Sequence, residues 1–186
     1  MCTRFTFHQP DRAMAAIAAA LAKEIATPPE PLRPRWNVTL THVMPAVAAG
    51  EAGPELRGMI WGMVPAYARS QPITPTCSQA KTTTMLPNAK AETAATLSAF
   101  KQSVAKRRCL VPANGFYEWQ TFGKLKLPHL FTLRDEEPFA FAGIWEPPED
   151  ETPATFAILT TTPKRPRCAH PHSSRLHFAP GRRLAV

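Results

Sequence analysis

Prolines set the first limit on this chain, for they occupy 21 of its 186 positions. A proline fixes φ and removes a backbone donor, so it interrupts helix interiors and sheet ladders alike. Elements must be short and the turns many, which argues against a mostly helical protein. Within that limit the chain is long enough for one domain with a real core, and 44% hydrophobic residues with four tryptophans can fill it.

Residues 11–26 place Met14, Ile17, Leu21 and Ile25 at three- and four-residue steps, the stripe of an amphipathic helix with Asp11 near its start. The following TPPEPLRPR is too proline-rich to continue it. Met59, Ile60 and Trp61 read as a strand stopped by Gly62 and Pro65, and the Thr/Pro-rich stretch 69–87 as a long loop. Helical spacing returns from Ala89 to Arg107 through Ala91, Ala94, Leu97, Phe100 and Val104. Short strands follow at Cys109–Val111, Gly115–Gln120, Leu127–Leu133, Pro138–Trp145 and Ala154–Thr161, with FGKL at 122–125 as a hairpin turn. The expectation is a single α+β domain, with a curved, mostly antiparallel, barrel-like sheet and flanking helices.

Charge and cysteines narrow the function less. The net charge of +8 suggests a polyanionic partner. Six of the 22 basic residues lie beyond Pro163, however, and the remaining 16 nearly balance 14 acidic ones. Cys2, Cys77, Cys109 and Cys168 form no CxxC pair, so no zinc or redox motif is supported and they read as free thiols. His8, His42 and His129 have no ligand-like spacing. No run of about 18 apolar residues predicts a membrane span, and the start of the chain lacks a signal-peptide layout. These features point to the cytoplasm.

Four strings carry the functional argument: MCTRF at the start, RWN at 35–37, WGMVPAYA at 61–68, and NAKAET (88–93) paired with CLVPANGFYEW (109–119). Together, in this order, they resemble the SRAP family, the SOS response-associated peptidases, over most of residues 1–162. Thr3 replaces the family's usual glycine and Lys90 its usual arginine, whereas Arg4 and Asn88 match. A lysine keeps the charge but loses the bidentate fork for phosphate.

The resemblance implies covalent capture of abasic sites in single-stranded DNA, a peptidase- and lyase-like activity that includes autoproteolytic removal of Met1. The chemistry follows from the residues. Once Met1 is removed, Cys2 carries an amine and a thiol on adjacent carbons. The amine condenses with the abasic-site aldehyde to a Schiff base, and the thiol closes a thiazolidine ring. Their ordinary pKa values, about 7.7–8.0 and about 8.5, leave useful fractions of both nucleophiles near neutrality. Taken alone, Cys2 reads as an inert residue after the initiator methionine.

By the same resemblance Glu118 is the catalytic glutamate, moving protons from between Phe116, Tyr117 and Trp119. Alternation on a strand offers the plainer reading, in which Glu118 faces water. Asn88 orients the cysteine amine or the sugar, with helix capping before Ala89 as its competitor. Arg4 and Lys90 are the phosphate contacts. Trp61 and Pro65, with Trp36, are candidates for the DNA-stacking surface, although such residues are more often core. No metal or organic cofactor is implied. The partner is single-stranded DNA with abasic sites, met by a monomer that joins the nucleoid on damage.

The segment 163–186 departs from the family, which has a catalytic histidine in this region. It is basic, proline-rich and without period, so the chain divides into a SRAP-like 1–162 and an atypical tail. Read one nucleotide forward, the codons from Lys164 to Leu176 permit the family's segment. A frameshift is therefore expected, and sequencing the locus decides it. His170 and His172 flank the family histidine's position and are given no catalytic role. Three other readings stay open: a non-covalent single-strand binder, a papain-like cysteine hydrolase lacking its usual helix after Cys2, and an inactive truncated member.

Overall fold

A computed structural model describes residues 3–25, 31–68, 85–149 and 152–161. Cys2, Cys77, Cys168, His170, His172 and the whole 163–186 segment lie outside the described residues. The first helix, α1 (Pro10–Leu21), begins with proline in its first turn, where no intrahelical donor is needed, followed by Asp11. Its apolar stripe buries Ala13, Met14 and Ile17. The helix ends four residues before Ile25. There Ala22 turns to φ 50°, while the amides of Ala22 and Lys23 donate back to the carbonyls of Ala19 and Ala18. This is a Schellman cap, usually made by glycine and here by alanine.

The strands are β1 (Phe5–Phe7), β2 (Arg35–Val38), β3 (Val43–Ala49), β4 (Pro54–Trp61), β5 (Asn88–Lys90), β6 (Arg108–Ala113), β7 (Gly115–Phe122), β8 (Leu125–Phe131), β9 (Phe139–Glu146) and β10 (Thr155–Thr160). One sheet runs β4-β3-β6-β9-β10, and β10 then pairs in parallel with β4, Thr155 opposite Ile60 and Phe156 opposite Trp61. The five strands therefore close into a ring. Farther along, β10 leaves β4 and pairs in parallel with β5, Ile158 opposite Asn88 and Thr160 opposite Lys90. The other sheet, β2-β1-β7-β8, is antiparallel.

Period-2 alternation sorts the barrel's side chains between two sides. Met44, Ala46, Met59, Trp61, Val111, Phe156 and Ile158 join the main core, which also takes Phe5 and Phe7 from β1. Their neighbours face outward under helices. Val47 and Leu110 pack against Met14 and Ile17 of α1, and Ile144 and Ala157 against Ala94 and Phe100. Gly143 is fixed by this crowding, since a Cβ there would sit 2.9 Å from the Cys109 sulfur and 3.2 Å from the Ala157 carbonyl. The β7–β8 hairpin closes where FGKL is expected to turn it. Phe122 pairs with Leu125, and Gly123 takes φ +56°, as a type II′ turn requires of its first central residue.

The chain is thus a small single domain with mostly antiparallel strands, a barrel-like sheet and few helices. One segment corrects the sequence reading. The single helix expected over 89–107 is a strand, β5, then a short α2 (Ala91–Ala94), a turn, and α3 (Lys101–Lys106). Pairing with β10 overrides helical propensity at Asn88–Lys90, and Thr96 bonds back to the Thr93 carbonyl through both its amide and its hydroxyl. Leu97, placed by spacing in the core, is 48% exposed.

Candidate nucleic-acid interface and catalytic residues

Two faces of the four-stranded sheet divide the candidate residues. Phe5 and Phe116 lie opposite each other across β1 and β7 and point into the core side. Alternation puts Glu118 on that same side, half-buried, with His129 as its direct cross-strand neighbour on β8. Arg4, Tyr117 and Trp119 take the outer side. The backbone amide of Tyr117 donates to the Arg4 carbonyl at 2.9 Å, which continues the β1–β7 register past Phe5. Thr3, the residue before Arg4, therefore runs toward Glu118.

The outer side carries a cleft of about 330 Å³ lined by Arg4, Asn37, Tyr117, Trp119 and Pro128. Within it the Arg4 guanidinium donates to the Asn37 side-chain oxygen at 3.2 Å and lies 5.7 Å from the Trp119 ring centre. A cation over an indole beside an amide is an arrangement that can take a phosphate and a base together. A β-bulge in β2 builds one wall. Phe5 pairs with Val38 and Phe7 with Arg35, so Trp36 and Asn37 together oppose Thr6. Two residues against one turn both side chains to the same side. The Tyr117 hydroxyl locks the bulge by donating to the Trp36 carbonyl at 3.2 Å.

Asn88 and Lys90 sit elsewhere, on β5 beside the second half of β10. Lys90 is exposed and Asn88 half-buried. Asn88 is a strand residue and not the helix cap that competed with its functional reading, since α2 begins three residues later with Lys90 as its cap position. Trp61 ties this strand to β1. Its ring packs edge-on against Phe5 at 5.0 Å, and its indole nitrogen donates to the Pro87 carbonyl at 3.0 Å, next to Asn88.

That placement corrects two expectations. Trp61 is 0% exposed and Pro65 is also buried, so neither offers a face to a base. Both belong to the core because the segment 61–65 runs alongside β10, where Gly62 donates to the Phe156 carbonyl and Val64 to the Thr155 hydroxyl. Asn37, Tyr117, Trp119 and Pro128 were missed by sequence reasoning. Their signal was present for two of them: in FYEW, alternation places Tyr117 and Trp119 together and away from Glu118. Tyr67, 68% exposed in the short turn after Pro65, is the aromatic of WGMVPAYA that reaches solvent.

Burial pushes the Cys109 thiol up to about 12, which makes it a packing residue. The His42 imidazole is held below its ordinary value by burial and then by the nearby Arg35 charge, and its Nδ1 accepts the Thr39 amide at 3.4 Å. Among the described residues no group of three or more His, Cys, Asp and Glu is placed to hold a metal, and no helix is long and apolar enough to cross a membrane.

Comparison with known proteins gives a consistent result. The family model described as SOS response associated peptidase (SRAP) matches residues 1–176. Abasic site processing protein YoqW of Bacillus subtilis is 30% identical over 70% of this chain and 56% of its own length. The chain thus spans little more than half of that relative. Abasic site processing protein YoaM of the same organism is 29% identical over 88% of this chain and 68% of its own. A crystal structure of a protein from Bacteroides thetaiotaomicron shares the fold with a TM-score of 0.65, at 24% identity, over 86% of this chain and 68% of that one.

Proposed function

The chain belongs to the SOS response-associated peptidase family, and from that premise we propose that it processes abasic sites by covalent capture on single-stranded DNA. Cys2 is the nucleophile once Met1 has been cleaved off autoproteolytically. Its amine attacks the open-chain C1′ aldehyde and water leaves, giving an imine. The thiol then adds across that imine and its proton passes to nitrogen, closing a thiazolidine. Glu118 moves the protons of these steps, and Asn88 orients the amine or the sugar. Arg4 and Lys90 hold phosphates as cations. The protein acts as a monomer and needs no metal or cofactor.

The observation that carries this reading is the Arg4–Tyr117 backbone bond, 2.9 Å long. It carries the β1–β7 pairing past Phe5 to Arg4, so that Thr3 follows in the direction of Glu118. Cys2 is the next residue before Thr3 in the sequence. The curated relatives are named for the same task, and their common name is what favours abasic DNA over another aldehyde.

The test is incubation of the purified protein with single-stranded DNA carrying one abasic site. A band shift that survives denaturation is expected, absent with undamaged DNA and with Cys2→Ala. A folded, Met1-processed protein that gives no such band would sink the covalent reading. The Arg4–Trp119 cleft supports a second one, reversible single-strand binding that falls steeply with salt and treats intact and abasic strands alike.

A further inference from the structure

We propose that Trp36 is a stacking platform for one unpaired DNA base, prepared by His8 and placed one step along the strand from the Arg4–Trp119 cleft. This rests on the single-strand reading above and extends it to a specific contact. Trp36 is 61% exposed although it lies inside a strand. The bulge turns it out on the side of Asn37, and Asn37 already holds Arg4. Its ring is held as well as exposed. His8 stacks on one face with ring centres 3.9 Å apart and planes 10° from parallel. The Trp36 carbonyl is fixed by the Tyr117 hydroxyl, whose own ring lines the cleft. An indole with one face covered and its backbone anchored loses little freedom when the second face is used.

The surroundings select the occupant. Arg33, three positions before Trp36, is exposed, Arg4 is held by Asn37 on the bulge side, and no Asp or Glu occurs between residues 31 and 50, whereas Arg35 pairs with Phe7 and takes the other side. An apolar peptide would gain nothing from these guanidinium groups, whereas a polyanion with aromatic bases uses both features. The base must be free of its neighbours to lie on the ring, so the platform favours a single strand over a duplex. Trp36 and the cleft share one bulge, which makes them consecutive stations on one path.

The experiment titrates a labelled, undamaged single strand of DNA, and in parallel its duplex, against the wild-type chain and against Trp36→Ala, Trp36→Leu and Trp36→Phe. Loss of one base–aromatic stack is expected to weaken binding by roughly 5- to 150-fold in Trp36→Ala. Trp36→Leu, apolar but without a π-face, should lose nearly as much, and Trp36→Phe should recover most of the affinity. Affinity equal to wild type in folded Trp36→Leu would overturn the proposal, as would equal losses for duplex and single strand. Should Trp36→Ala fail to fold, the Leu–Phe pair decides alone. The covalent reading is scored separately, by the wild-type cross-link to an abasic strand. A cross-link with indifferent Trp36 variants removes the platform only, and a π-dependent affinity without a cross-link removes the covalent chemistry only.

Discussion

The guanidinium of Arg4 and the indole of Trp61 started from the same kind of sequence clue and ended in opposite places. Both belong to strings that resemble the family, yet Arg4 is exposed at the cleft and Trp61 fills the core. A string specifies which residues sit near a site but not which way each side chain points. Cys2, Asn88 and Glu118 were legible from sequence as candidates, whereas the pairing of Arg4 with Asn37 was not, because it needs two strands in register. Cys109 gives a test at this scale. Burial pushes its folded thiol up to about 12, above the ordinary thiol range of about 8.5–9. Below pH 9 both states keep the proton. Above it the unfolded chain ionises while the folded one does not, so stability falls from about pH 9 towards 12. Urea midpoints of wild type and Cys109→Ala should diverge over that range, the variant showing the weaker pH dependence. Parallel curves would show that the buried thiol is not coupled to folding.

Elements with a strong local period were readable, and those defined by a partner were not. The stripe of α1 and the FGKL turn follow from local spacing and turn chemistry. The bulge in β2 and the strand β5 exist only because other strands dictate their pairing. Residues 89–107 carry a helical period, but sheet hydrogen bonds from β10 claim their first residues. The end of α1 offers a direct measurement. Ala22 sits at φ 50°, which costs an L-residue about 1–2 kcal/mol. Glycine there removes the strain at an entropic cost of about 0.5–1 kcal/mol. Ala22→Gly should therefore raise unfolding stability by about 0.5 kcal/mol with an unchanged denaturant slope. A loss of stability would mean that the cap is not held in this form.

Across the whole molecule, the barrel and its helical layer are joined at a buried ion pair. Arg107, just past α3, donates to a Glu146 carboxylate oxygen at 2.6 Å and to the Trp145 carbonyl at 3.2 Å, and the Ser103 hydroxyl donates to the same carboxylate oxygen. The Glu146 side chain is only 6% exposed. Arg107→Met should cost about 3–5 kcal/mol, because it takes the cation away from a buried carboxylate. Adding Glu146→Leu should restore much of that, and a single variant as stable as wild type would mean that the pair contributes no net support. The alternation of strands and the proline count made the fold class legible. Closure of the ring was not, since a parallel contact between β4 and β10 joins segments about 95 positions apart.

That distance along the chain is also an interval in time. A ribosome adding 5–20 residues per second delivers Thr155 roughly 5 to 20 seconds after Ile60. For that interval the nascent chain carries β4 with one flank unsealed, and a flank of this kind pairs readily with any neighbouring strand. The finished barrel has no such seam. The chance that a foreign strand takes that flank therefore depends on what meets the growing chain in those seconds.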